Sequence, residues 1–265
     1  MVAYLPDADV EVPAAVAALG ARGRLRCVWR NELGGLTFAL GSGCSRFVKW
    51  VPSDSGIDLT AEACRLEWAA AHAAVPRVLG EGSDGDGTWM VTSAIPGESA
   101  VSDRWKADPR RAVTAIGRGL RHLHDSLPVE CCPFSWSAED RLAQVRLRAS
   151  NGWLDPASWD EAHRRLTVEA ALQILSTPPE IDRLVVCHGD ACSPNTLLSD
   201  DGEVTGHVDL GAMGVADRWA DLAVATWSTT WNYGPGWEQA LLDAYQIEAD
   251  AERIRYYRLL WDLAP

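Results

Sequence analysis

Lysine is almost missing from this chain: among 24 basic residues only Lys49 and Lys106 carry an amine, and the others are arginine. The seven cysteines (Cys27, Cys44, Cys64, Cys131, Cys132, Cys187, Cys192) include no CxxC pair and no histidine at zinc-finger spacing. Adjacent Cys131 and Cys132 do not suit a disulfide framework, so a reduced, cytoplasmic chain is expected. No apolar run approaches the ~18 residues of a membrane helix. The opening Met1–Asp7 lacks a basic segment followed by an apolar one, so no secretory signal is expected. Internal repeats, low-complexity tracts and a G-x-G-x-x-G string are also missing.

What remains is ordinary globular material. The 265 residues are 47% hydrophobic and 23% charged, enough to build a core without staples. A net charge of -13 argues against a nucleic-acid partner, whose phosphates would be repelled. The charge is uneven. Residues 1–97 hold 8 basic and 11 acidic side chains, a net of -3, while residues 98–265 hold 16 and 26, a net of -10. That field favours a small cationic partner for the second half; the alternative is acidity that serves solubility alone.

Hydrophobic periodicity divides the chain at the same place. Arg24–Arg30, Leu36–Leu40 and Arg46–Val51 alternate as strands, with Gly41-Ser42-Gly43 as a hairpin turn. A helix is predicted from Asp58 or Thr60 to about Ala73, then strands over 76–80 and 89–95. Pro96-Gly97 breaks the pattern. Beyond it, helices are predicted over 109–125, 138–150, 158–176, 217–231, 236–246 and 250–261. Between them lies an island of strands at 184–188, 196–198 and 204–210. The expected fold is α+β and bilobal: residues 1–97 as an antiparallel sheet with one helix, residues 98–265 as a larger, mainly helical lobe.

The chemistry concentrates in His188-Gly189-Asp190-Ala191-Cys192-Ser193-Pro194-Asn195, followed by Asp209-Leu210-Gly211. Asp-x4-Asn and then Asp-x-Gly after a hairpin is the spacing of catalytic and metal-binding loops in protein-kinase-like enzymes. Phosphoryl transfer needs a carboxylate beside the attacking hydroxyl, a role for Asp190. It also needs hard oxygen ligands for Mg²⁺, a role for Asn195 and Asp209. Singly, each of these residues is also common turn chemistry. Lys49, inside the apolar run Phe47-Val48-Lys49-Trp50-Val51, fits the strand lysine that contacts nucleotide phosphates. Its helix partner is expected to be Glu62, with Glu67 second. Gly34-Gly35 offers a loop where backbone could approach phosphates, or simply a hairpin turn.

At these residues the sequence resembles the aminoglycoside phosphotransferase family, nearest its 3′-hydroxyl-modifying (kanamycin/neomycin) branch. Matching segments are Asp58–Trp68, His124–Pro128 with Cys132–Phe134, Leu184–Leu198, Gly214–Arg218 with Asp221–Ala223, and Tyr257–Leu260. The resemblance implies a bilobal protein-kinase-like enzyme using ATP (or GTP) and Mg²⁺ to phosphorylate an aminoglycoside and confer antibiotic resistance. It implies Asp190 as catalytic carboxylate, Asn195 and Asp209 as metal ligands, and Lys49 on the phosphates, oriented by Glu62. Gly34 would lie over the phosphates, and Ser93 and Ile95 would present backbone to adenine. Asp160, Glu161 and Asp262 would face the cationic acceptor. The enzyme would act as a cytoplasmic monomer or weak dimer, with neither nucleic acid nor membrane as partner.

The chain departs from the family at Leu33-Gly34 (Ser-Gly there), at Ala212 (an arginine in the 3′ branch), and at its last residues Asp262-Leu263-Ala264-Pro265 (Glu-Phe-Phe there). It also reads Trp227-Ser228-Thr229-Thr230-Trp231-Asn232 where relatives carry acids. Trp227, Trp231 and Trp237 could form a stacking surface or be core. These changes motivate a second reading, a kinase of another hydroxylated compound. A nucleotide-binding pseudokinase is the third, opposed by the complete set Lys49, Glu62, Asp190, Asn195 and Asp209.

Overall fold

The structure, a computed structural model, describes residues 10–20, 25–31, 33–41 and 43–264. Met1–Asp7, Arg24, Ser42 and Pro265, which figure in the expectations above, lie outside them. The chain divides after Pro96 into two compact units.

In the first unit, five antiparallel strands run in the order β1 (Leu25–Arg30), β2 (Leu36–Leu40), β3 (Arg46–Pro52), β5 (Gly87–Ser93), β4 (Val78–Ser83). Period-two alternation decides what each face does. Leu36, Phe38, Leu40 and Val48 are buried on one face against Val16 of a short helix, α1 (Ala14–Leu19), which the sequence pattern did not signal. Lys49 therefore belongs to the other face, paired with Thr37 on β2 and Met90 on β5. That face meets α2 (Leu59–Ala69), whose Leu59, Ala63, Leu66 and Ala69 are buried. Asp58 starts this helix by accepting the Ala61 N–H at 2.9 Å.

The second unit is mainly helical. α3 (Asp103–Lys106) leads into α4 (Pro109–Ser126), which has Asp108 as its cap and Pro109 in its first turn. Its Ala112, Val113, Ile116, Leu120 and Leu123 are buried, as their spacing predicts. α5 (Ala138–Ser150) and α6 (Val168–Leu175) follow, and α7 (Trp219–Tyr233), α8 (Glu238–Tyr245) and α9 (Ala251–Leu263) close the chain. Among these helices, β6 (Glu98–Ser99) and β9 (Val204–His207) both pair with β8 (Thr196–Leu198). A separate antiparallel pair joins β7 (Leu184–Cys187) to β10 (Gly214–Asp217).

Three expected elements differ: the helix expected to Ala73 ends at Ala69, the strand expected over 204–210 ends at His207, and 158–176 is broken. The helix predicted over 158–176 is a 3-10 turn at Pro156–Ser158, a series of turns, and then α6 alone. Asp262 Oδ2 takes the Asp160 N–H at 2.8 Å and His163 Nδ1 at 2.9 Å in the turns over 160–166, and Thr167 caps a fresh helix start through the Ala170 N–H. All seven cysteines are free thiols. No described helix is long and apolar enough to cross a membrane.

His207 ends β9 buried, with its ring centroid 5.9 Å from that of His188. Burial, with the His188 ring adding to it, pushes the imidazole down to about 3. The unfolded chain binds this proton below about pH 6.5 while the folded chain does not. The resulting stability is present above that value and lost as pH falls towards 3, at up to ~1.4 kcal/mol per pH unit. Urea unfolding of His207→Gln between pH 7 and 5 should therefore show a flatter pH dependence than the parent. Equal slopes would refute this.

Candidate active site

The strand β7 delivers the chain into the His188–Asn195 loop through a turn only glycine permits. Gly189 has φ +88°, and a Cβ there would lie 2.3 Å from the Ala212 carbonyl oxygen. A 3-10 turn at Ser193–Asn195, with Pro194 inside it, then folds the loop back on itself. Asn195 Nδ2 donates to the Asp190 backbone oxygen and to Asp190 Oδ2, both at 3.0 Å. Asp190 Oδ1 is buried and has no nitrogen or oxygen partner among the described residues; the neighbouring Cys192 thiol is the other side chain that bonds this carboxylate. Burial pushes the Asp190 carboxyl up, and the nearby Asp209 charge adds to the rise.

Asp209 joins the same cluster. The Val208 N–H donates to the Asn195 carbonyl at 3.0 Å, and His188 Nε2 contacts the Val208 carbonyl, also at 3.0 Å. With Nε2 donating, Nδ1 of that ring accepts the Asp190 N–H at 3.3 Å. His188 thus holds both carboxylate-bearing segments through their backbones. Asp209 itself sits at φ +64°, a left-handed conformation costly for a residue with a side chain and typical of functional positions.

The anchor of the loop is Asp221, on α7 and fully buried. It accepts the His188 N–H at 2.6 Å, the Gly189 N–H at 2.9 Å and His124 Nε2 at 2.9 Å. Burial opposes its charge, but the His124 hydrogen bond and its other partners outweigh burial and hold the carboxyl below the usual range. His124 in turn uses Nδ1 on the Tyr245 hydroxyl at 2.8 Å. His124, Cys187 and Asp221 offer ligand atoms within 4.8 Å of one another. Asp221 is engaged with the loop, His124 with Asp221 and Tyr245, and the Cys187 thiol donates to the Asp217 carbonyl at 3.4 Å, so the three form a brace. The sequence reading missed this role of Asp221; the available signal was a lone acid in the apolar run Trp219-Ala220-Asp221-Leu222-Ala223.

In the first unit, Lys49 Nζ donates to Glu62 Oε2 at 2.6 Å, with side-chain exposures of 21% and 5%. Glu67 is exposed on the opposite side of the helix, so Glu62 is the carboxylate that meets the lysine. Gly34 has φ +82° in the β1–β2 turn. Asn31 Oδ1 accepts the N–H groups of Leu33 and Gly35 at 3.1 and 2.7 Å, a turn lock not foreseen from sequence. Ser93 ends β5 and spends its N–H on the Arg77 carbonyl at 2.9 Å; Ile95 lies just beyond the strand. The acceptor candidates also meet in part. Asp262 Oδ2 takes the Asp160 N–H and His163 Nδ1, at 2.8 and 2.9 Å, while Glu161 is exposed beside them.

The donor set Asn195 and Asp209 is an amide oxygen and a carboxylate, hard oxygen chemistry that fits Mg²⁺. The buried Asp190 oxygen beside a second carboxylate fits a site whose negative charge a cation would balance.

A sheet unit bearing a lysine–glutamate pair, and a helical unit bearing an Asp-x4-Asn loop with a strained Asp-x-Gly, define a kinase-like phosphotransferase. The chain belongs to the phosphotransferase enzyme family, whose profile matches residues 36–257. It is 39% identical over 220 residues to an aminoglycoside 3′-phosphotransferase of Streptomyces fradiae, covering 79% of this chain and 81% of that protein. The solved aminoglycoside 3′-phosphotransferase of type VIII superposes with TM-score 0.78 at 33% identity, over 94% of this chain and 97% of its own. An aminoglycoside phosphotransferase of Streptomyces rimosus, solved with ADP and streptomycin, superposes with TM-score 0.76 at 30% identity, over 95% and 97%.

Removing the anchor should be costly. Asp221→Ala leaves two backbone N–H groups and a histidine nitrogen unpartnered in the core, so unfolding free energy should drop by at least about 3 kcal/mol. Phosphate transfer should fall with it. A denaturation midpoint within error of the parent would show that the carboxylate does not hold the loop.

Proposed function

We propose that this enzyme transfers the γ-phosphate of ATP to a hydroxyl of an aminoglycoside antibiotic, most directly the 3′-hydroxyl, and so confers resistance. The observation that carries the reading is the Asp190 carboxylate. One of its oxygens is fixed by Asn195 and the other is buried without a nitrogen or oxygen partner, on a loop that a buried acid holds by its backbone. Identity to an aminoglycoside 3′-phosphotransferase supplies the acceptor class.

The chemistry follows from the residues. Asp190 Oδ1 accepts the hydrogen bond of the acceptor hydroxyl and orients its oxygen towards the γ-phosphorus. The new O–P bond forms as the bond from the γ-phosphorus to the β,γ-bridging oxygen breaks; ADP leaves, and the hydroxyl proton passes to Asp190. The raised carboxyl, with burial as the main cause, suits a group that takes up a proton late in the reaction. Lys49, held in its strand by Glu62, supplies positive charge to the nucleotide phosphates. The turn around Gly34 covers the phosphates, and backbone at Ser93 and Ile95 meets adenine. Asn195 and Asp209 would hold Mg²⁺, which supplies charge neutralisation on the phosphates. Asp160, Glu161 and Asp262 contribute the carboxylates that receive a polycation. We place the enzyme in the cytoplasm as a monomer or weak dimer.

A second reading, phosphorylation of another hydroxylated compound, draws on Trp227-Ser228-Thr229-Thr230-Trp231-Asn232, where acidic contacts were expected. ATP and GTP turnover against aminoglycosides with and without a 3′-hydroxyl, macrolides, peptide antibiotics and amino alcohols separates the two. The first reading requires turnover confined to the 3′-hydroxyl aminoglycosides. Asp190→Asn should lower kcat by about 10²–10⁴-fold while ATP affinity stays within a few-fold. A substantial residual kcat would remove Asp190 from its role.

A further inference from the structure

The expected tryptophan group is rearranged in the fold. Trp237 sits apart, its ring 5.9 Å from the Arg110 guanidinium. Its place is taken by Trp261 of α9. Trp227 and Trp231, four residues apart and so on one face of α7, pack with their rings tilted by 41° at a centroid distance of 4.9 Å. Trp261 lies 5.6 Å from Trp231 and 6.2 Å from Trp227. Two of these indoles are buried, each 8% exposed, whereas Trp231 is 44% exposed. Rigid aromatics thus back a single open indole, where burial of all three would complete an ordinary core.

This group is continuous with the catalytic loop. Trp227 and Trp261 pack with Val224 against Cys192, two residues from Asp190. Ser228, next to Trp227, accepts the Ser193 N–H at 2.8 Å, and Asn232, next to Trp231, donates to the same Ser228 hydroxyl at 3.1 Å. On its other side, the His163 ring contacts Trp227 at 5.7 Å while binding Asp262, the neighbour of Trp261. Arg258, 5.4 Å from the Trp227 ring, is paired with Glu238 at 2.9 Å. The exposed Trp231 indole, in a half of the chain with a net charge of -10, is complementary to an ammonium group carried on a sugar ring.

We infer that Trp231, backed by Trp227 and Trp261, is a specificity-determining seat for an ammonium-bearing sugar ring of the acceptor. The inference rests on the aminoglycoside reading above and adds to it a contact in which an aromatic face takes over from the acids missing in this helix. The test is calorimetric titration of the full-length protein with kanamycin and with streptomycin, followed by steady-state kinetics. Trp231→Ala should weaken binding of at least one of them about tenfold and raise its KM in parallel, with KM for ATP unchanged. Trp231→Phe should restore most of that affinity, and Trp237→Ala, outside the seat, should match the parent. Trp231→Leu keeps apolar bulk without the indole face and should behave as the alanine variant, which guards against a folding defect. If the parent phosphorylates an aminoglycoside and Trp231→Ala binds both drugs within twofold of it, the seat is overturned and the function stands. If the parent neither binds nor phosphorylates any aminoglycoside, both fall together.

Discussion

The helical unit turns on a carboxylate that never meets substrate. Asp221 is wholly buried, and the cost of placing a charge there is offset because it accepts two consecutive backbone N–H groups and a histidine nitrogen. Those N–H groups belong to His188 and Gly189, the turn that presents Asp190. Neither could pair within a strand or helix, since the chain is reversing direction at a glycine with φ +88°. The fold thus spends a helix side chain to satisfy a loop, and the loop gains a fixed backbone. Side-chain order follows: His188 bridges to Val208, Asn195 fixes Asp190, and Asp209 is left in a conformation it would not choose alone.

The residues proposed to carry the chemistry stand out in the sequence because phosphoryl transfer fixes both type and spacing. An Asp-x4-Asn loop after an apolar strand has few structural solutions, and a lysine inside Phe47–Val51 needs a buried partner. Glu62 rather than Glu67 meets the lysine because Glu62 falls on the buried face that carries Ala63 and Leu66. Less visible were features that depend on distant partners. Nothing local in Trp159–Leu175 says that Asp262, about a hundred residues on, will take the Asp160 N–H and the His163 ring in a run of turns. The short α1 escaped notice because only Val16 of its six residues is buried. Trp237 seemed to belong with Trp227 and Trp231 by proximity in sequence, whereas helix geometry brings Trp261 to them instead.

The proposed acceptor side would meet one electrostatic requirement by two kinds of chemistry. The second half of the chain carries a -10 charge, and Trp227-Ser228-Thr229-Thr230-Trp231-Asn232 contains no acid. Asp262 is tied to the Asp160 backbone and to His163, so it shapes the 160–163 turn as well as lending charge. Aromatic faces add attraction without adding carboxylates whose mutual repulsion would have to be balanced.

The scarcity of lysine has a practical consequence for chemical labelling. Amine-directed reagents meet only two side chains here: Lys106, exposed at the end of α3, and Lys49, hydrogen-bonded to Glu62 in the middle of a sheet. Modification at Lys106 serves as an internal reference for reagent strength. The ratio of the two labels becomes a direct gauge of whether the strand lysine is covered, obtained by mass spectrometry without engineering any residue.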